Sequence, residues 1–93
     1  MLYTKHKQHT LLIITNKPKE VYECIAECTH HGATVFQGTG SYENADRYMV
    51  YSVVSSDEVK MVLKRVKEAD PTVFINSLHT DTIAGRFLVK GED

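Results

Sequence analysis

The chain predicts an α+β sandwich, an antiparallel sheet of four strands with two helices laid across one side, on three observations. Short apolar, β-branched runs recur at residues 9–15, 33–37, 47–54 and 72–78. Stretches of helical periodicity separate the first run from the second and the third from the fourth. The chain has 93 residues, 42% hydrophobic and 25% charged, which suits one small globular domain and excludes a disordered chain, a collagen or a disulfide scaffold.

The elements follow in order. Residues 1–8 (MLYTKHKQ) are polar and aperiodic and read as a linker; residues 9–89 read as the domain and 90–93 as a frayed tail. HTLLIIT at 9–15 places four apolar residues in succession, so both faces of this strand are apolar. Asn16-Lys17-Pro18 opens the first helix, with Asn16 or Lys17 as cap and Pro18 tolerated in the first turn. Val21, Ile25 and Cys28 form its buried stripe, with Tyr22 and Ala26 beside it. His30 and His31 then fall in the last turn, favoured by the helix dipole, and Gly32 supplies the stop. ATVFQ at 33–37 is a second strand, and residues 38–46 (GTGSYENAD) read as a long, mobile polar loop.

RYMVYSVV at 47–54 is again apolar on both faces. Ser55-Ser56-Asp57-Glu58 reads as a capping box, with Ser55 as cap and Glu58 at the third helical position. Val59, Val62, Leu63 and Val66 give the second helix its buried face, and Asp70-Pro71 ends it. TVFINSL at 72–78 is the fourth strand, and residues 81–89 are expected to add a short edge strand. Two right-handed crossovers in the order β-α-β-β-α-β give sheet order 4-1-3-2, the ferredoxin-like sandwich.

Helices cover only one face of such a sheet, yet the first and third strands are apolar on both. The open face therefore needs a cover. A second copy of the chain is the expected one, as a dimer or trimer; the alternative is residues 83–89 folded back over it.

Composition narrows the partners. Eleven Lys+Arg against twelve Asp+Glu give a formal charge of -1 and a pI near 6.5, with no basic excess to mark nucleic acid or anionic lipid. The longest apolar run, Leu11 to Ile14, is far too short to span a bilayer, and residues 1–10 hold no apolar signal core.

Candidate chemistry is sparse. Cys24, Cys28 and His31 are spaced to share a helix face and with His30 or His79 would hold zinc, but structural zinc sites draw ligands from separate elements. The cysteines are expected to be reduced and small core residues, the histidines exposed caps, and no metal or cofactor is expected. His6 and His9 read as solvated. No Walker, dinucleotide or zincin motif and no nucleophile–base pattern occurs, and the loop after the first strand lacks the Arg of an acylphosphatase, so the expectation is no enzyme.

The informative stretch is Gly38-Thr39-Gly40-Ser41-Tyr42 with Arg47 behind it. Two glycines permit positive φ and close approach; successive N–H groups of Thr39, Gly40 and Ser41 would form an anion nest. Arg47 would hold a phosphate, and Tyr42 would stack on a base or a neighbour. The alternative is a glycine-eased hairpin connection.

Gly38-Thr39-Gly40-Ser41-Tyr42, the Arg47 to Val54 run, Asp70-Pro71-Thr72-Val73-Phe74-Ile75 and Gly85-Arg86-Phe87 together resemble the C-terminal domain of YitT-type bacterial membrane proteins, a domain of unknown function. The likeness spans residues 9–87; Arg86 stands where a second glycine is common. The resemblance implies a domain that follows a block of transmembrane helices and lies at the cytoplasmic face of the membrane. It also implies a fold similar to PII signalling proteins, trimers that bind nucleotides between subunits. On that likeness the expected function is regulatory sensing of a nucleotide or other small anion at a subunit cleft; the alternative is an assembly module with no small ligand. No established activity comes with the resemblance.

Overall fold

The computed structural model of the chain describes residues 8–42, 45–81 and 84. Their order is β1 (Gln8–Thr15), α1 (Pro18–Thr29), β2 (Thr34–Gly40), β3 (Ala45–Ser55), α2 (Val59–Ala69) and β4 (Phe74–Thr80). All strand pairs are antiparallel and the sheet order is β2-β3-β1-β4, the expected 4-1-3-2 read from the other edge. This is the ferredoxin-like arrangement. The expected fifth strand at 81–89 lies outside the described residues, apart from Asp81 and Ala84.

Register sorts the side chains cleanly. Facing the helices, Val35, Val50, Ile13 and Ile75 form one row across all four strands, and Leu11 and Val54 continue this face. Leu11, Ile13, Val50 and Val54 are fully buried with Val21 and Ile25 of α1 and Val62 and Val66 of α2. Cys24, Cys28, Ala33, Val59, Val73 and Ile75 pack around this core. On the opposite face, Phe36, Met49, Ile14 and Phe74 form an entirely apolar row across the four strands. Tyr51 and Leu12 sit in the next row, and Leu78 beyond it. Phe74 is 64% exposed, Phe36 49% and Leu78 44%, so no helix or strand of the described residues covers this row.

Element ends depart from expectation in instructive ways. The stop of α1 is His30 rather than Gly32: His30 takes the left-handed conformation (φ 63°) and its N–H bonds the Ala26 carbonyl. Thr29 closes the same turn, its hydroxyl donating to the Ile25 carbonyl and accepting the His31 N–H. At the other end Lys17 is the cap position, without a side-chain cap. Only half of the expected capping box forms. The Glu58 carboxylate accepts the Ser55 N–H at 2.8 Å, but Ser55 ends β3 and α2 begins four residues later, at Val59.

Asp70 does more than end α2. Its carboxylate is buried and accepts the Thr15 hydroxyl at 2.6 Å, the Thr72 hydroxyl at 2.9 Å and the Thr72 N–H at 3.1 Å. It thereby ties the end of β1 to the entry of β4. The Thr15 bond above all, then Thr72 and the nearby Lys17 charge, holds the Asp70 carboxyl below its usual value, against the opposing pull of burial. A depressed carboxylate contributes stability that is present above the unfolded pKa, near 3.8, and is lost as pH falls through the folded one. Asp70→Asn should therefore cost about 2 kcal/mol at neutral pH. Urea denaturation of wild type and variant should show that gap narrowing below about pH 4.

Candidate functional site

The site of interest lies where β1 and β2 end and β3 and β4 begin. Thr15 donates to Asp70 while accepting the Lys17 N–H at 2.9 Å, which fixes the turn into α1. Asn16, held between them, does not cap the helix. Its side-chain carbonyl accepts Arg47 Nη1 at 3.2 Å instead. Sequence reasoning paired Arg47 with the glycines and missed Asn16, whose signal was a capping-type residue placed just before Lys17-Pro18.

Gly40 makes room for the Arg47 side chain from the other side, and Gly38 is the register partner of Arg47. The expected loop over residues 38–46 is instead mostly hairpin ladder: Gly38, Thr39 and Gly40 pair with Arg47, Asp46 and Ala45. Neither glycine has positive φ. In an extended strand successive N–H groups point to opposite edges, so those of Thr39 and Gly40 do not converge on one point. The value of the glycines is the side chain they lack. A Cβ at Gly40 would lie 3.1 Å from both Cγ and Nε of Arg47, whereas at Gly38 it would meet nothing within 4 Å. Arg47 thus lies over Gly40, and Gly38 leaves a gap beside it. Ser41 and Tyr42 follow in the turn, and Tyr42 is 99% exposed.

Two clefts flank Arg47. One, of about 290 Å³, has Gly38, Phe36, Met49 and Ile14 on the open sheet face as lining, with Arg47 at its rim. The other, of about 270 Å³, lies toward β4 between Asn16, Ile14, Phe74, Thr72 and Asp70. Both share Ile14 and Arg47. Asp70 adds a carboxylate to the second cleft, whereas the lining of the first is apolar and polar with Arg47 as its charged group.

The second cluster behaves otherwise. His31 is buried rather than an exposed cap, and its Nε2 lies 3.2 Å from the Glu58 carboxylate, linking the end of α1 to the start of α2. Cys24 is half-buried with its thiol 3.8 Å from the Arg65 carbonyl, and burial pushes its pKa up, away from reactive thiolate. Among the described residues no group of three or more His, Cys, Asp or Glu is placed to hold a metal.

Gly38→Ala and Gly40→Ala should part ways. The first should leave the Arg47 Nε–H resonance unmoved in a nitrogen-15 correlation spectrum. The second should shift it, because the Arg47 stem must give way.

No helix among the described residues is long and apolar enough to cross a membrane. The profile of uncharacterised proteins conserved in bacteria, DUF2179, matches residues 31–85. The "UPF0750 membrane protein YitT" of Bacillus subtilis (strain 168) is 33% identical over 86 residues, 92% of this chain but 31% of that protein. The chain thus spans about a third of that relative. Two crystal structures share the fold. A functionally unknown protein from Pediococcus pentosaceus ATCC 25745 has a TM-score of 0.69 at 15% identity, covering 88% of this chain and 98% of that one. An uncharacterised DUF2179 protein from Eubacterium ventriosum has a TM-score of 0.61 at 24% identity, covering 75% and 96%. With the family match running across most of the sheet and the glycine hairpin, and the likeness to that relative covering 92% of this chain, the chain belongs to the DUF2179 family and is related to the membrane protein YitT.

Proposed function

We propose that this domain is a non-catalytic sensory module at the cytoplasmic face of a multi-pass membrane protein. It assembles with copies of itself through the open sheet face and takes a small anionic ligand at Arg47. The place of Arg47 carries the reading. It projects from the open face in the row beside Phe36, Met49, Ile14 and Phe74, so cationic rim and apolar floor form one groove on the face that needs a partner. A ligand with an anionic group and a flat apolar part, as a nucleotide has, matches both surfaces. The membrane context rests on the relative's name and on the 31% of its length that this chain spans.

Assembly has the energetic means. Large apolar side chains such as Phe36, Phe74 and Tyr51 each contribute roughly 1–2 kcal/mol when moved from water into a seam. Several of them together offset the association cost.

Two measurements test this. A thermal-shift panel of nucleotides, dinucleotides, inorganic phosphate and dicarboxylates should contain a member that raises Tm. In calorimetry Arg47→Ala should weaken that member by about 1–3 kcal/mol. A panel without a stabilising member leaves an assembly module that binds nothing small.

The assembly half is tested by Tyr51→Asp. Tyr51 is 39% exposed on the open face, so the variant should keep its far-UV circular dichroism while light scattering reports dissociation. Val50, one residue away, is fully buried under the helices, and a charge there would unfold the chain instead. A wild-type chain that runs as a monomer at high concentration overturns this half.

A further inference from the structure

At the opposite end of the sheet from Arg47, His9 of β1 and His79 of β4 are register partners. Residues directly opposite in an antiparallel pair share a face, so both imidazoles rise from the same side. Their ring centroids are 4.5 Å apart and tilted by 44°. We propose that His9 and His79 form a chelating site for a divalent transition-metal cation, Cu²⁺, Ni²⁺ or Zn²⁺.

The ring geometry carries the assignment. With a metal–nitrogen bond of about 2.0–2.1 Å, the metal sits roughly 3.1 Å from each imidazole centroid. Two rings on one ion are then about 4.4 Å apart at a right-angled bite and about 5.1 Å apart at a tetrahedral one. The observed spacing already matches the right-angled bite, and a small opening reaches the tetrahedral one.

A neighbour prepares one ring for the task. His9 Nδ1 lies 3.2 Å from the Ser77 hydroxyl, two residues along β4. With Nδ1–H donating to Ser77 Oγ, the lone pair is left on Nε2, which is how ligating histidines are commonly oriented from behind. Burial, and then the His79 charge, lowers the His9 pKa from its ordinary value. The sequence alone reads His9, with His6 in the lead segment, as solvated; its partner is seventy residues away and arrives through strand pairing.

Two nitrogen donors leave the remaining coordination positions to water or to a group from another molecule. Affinity should rise toward Cu²⁺ in the usual order for nitrogen ligands, and hard cations such as Mg²⁺ and Ca²⁺ should be refused.

The test uses untagged protein. Titration calorimetry with Cu²⁺, Ni²⁺ and Zn²⁺ at neutral pH should show one ion per chain. His9→Gln and His79→Gln should each weaken binding at least tenfold. His30→Asn, which changes an exposed histidine elsewhere, should bind as wild type does. In the wild-type chain, sub-stoichiometric Cu²⁺ should broaden the ring protons of His9 and His79 before those of His30, a reading that needs no variant. Equal binding by wild type and both glutamine variants, no binding in the millimolar range, or first broadening at another histidine would overturn the site.

Discussion

The structure depends on one geometric constraint: two helices cover one face of a four-stranded sheet, and the two central strands are apolar on both. In β3 the side chains alternate, so Val50 goes under the helices and Tyr51 goes to the open side. The same parity sends Leu11 and Ile13 inward and Leu12 and Ile14 outward. The folded core is satisfied by the first set, with eight side chains at 0% exposure. The second set adds nothing to that core. Holding Phe36, Met49, Ile14 and Phe74 in a row facing outward leaves apolar surface in water that polar residues at those positions would not. Residues that the core does not require and water does not favour are best understood as interface residues, and that is the physical ground for the assembly proposed above.

Much of the fold was legible because its signals are local. The apolar runs of β1 and β3, the periodic face of α2 and the Asp70-Pro71 stop each lie within one short window. Given that element order, crossover handedness fixes the sheet order. What the sequence hid depends on distant partners. Gly38-Thr39-Gly40 has the composition of a turn, yet it is strand because Asp46 and Arg47 supply a ladder that composition cannot reveal. The end of α1 was hidden differently. Gly32 was the obvious left-handed residue, but Thr29 already satisfies the last turn three residues earlier, and His30 tolerates the conformation.

The candidate site was legible in the same partial way. Arg47 and the two glycines stand out by residue type. Asn16, Ile14, Phe36 and Met49 reach Arg47 only through the register of three strands and the corner after β1. His31 was misplaced for a related reason: its partner Glu58 is at the start of the other helix, and a histidine near a helix end looks like a solvated cap until that helix is set beside it. The cross-strand pair His9 and His79 was equally out of reach.

The corner after β1 joins the scaffold to the groove. Asp70 holds Thr15, Thr15 holds the Lys17 N–H, and between them Asn16 holds Arg47. A guanidinium on a flexible stem ordinarily gives up rotamer freedom when it grips an anion. Here its stem lies over Gly40 and its head is tied to a turn that a buried carboxylate fixes, so part of that ordering cost is met in folding. The same arrangement bears on regulation. The groove floor is made of Phe36, Met49 and Ile14, which belong to the row that the proposed seam would bury. A ligand seated there touches the assembly surface itself, so its affinity must differ between the free and the assembled domain unless its contacts are the same in both. That difference is the whole requirement for coupling. With the ligand on the seam, no conformational relay through the sheet is needed to connect binding to assembly.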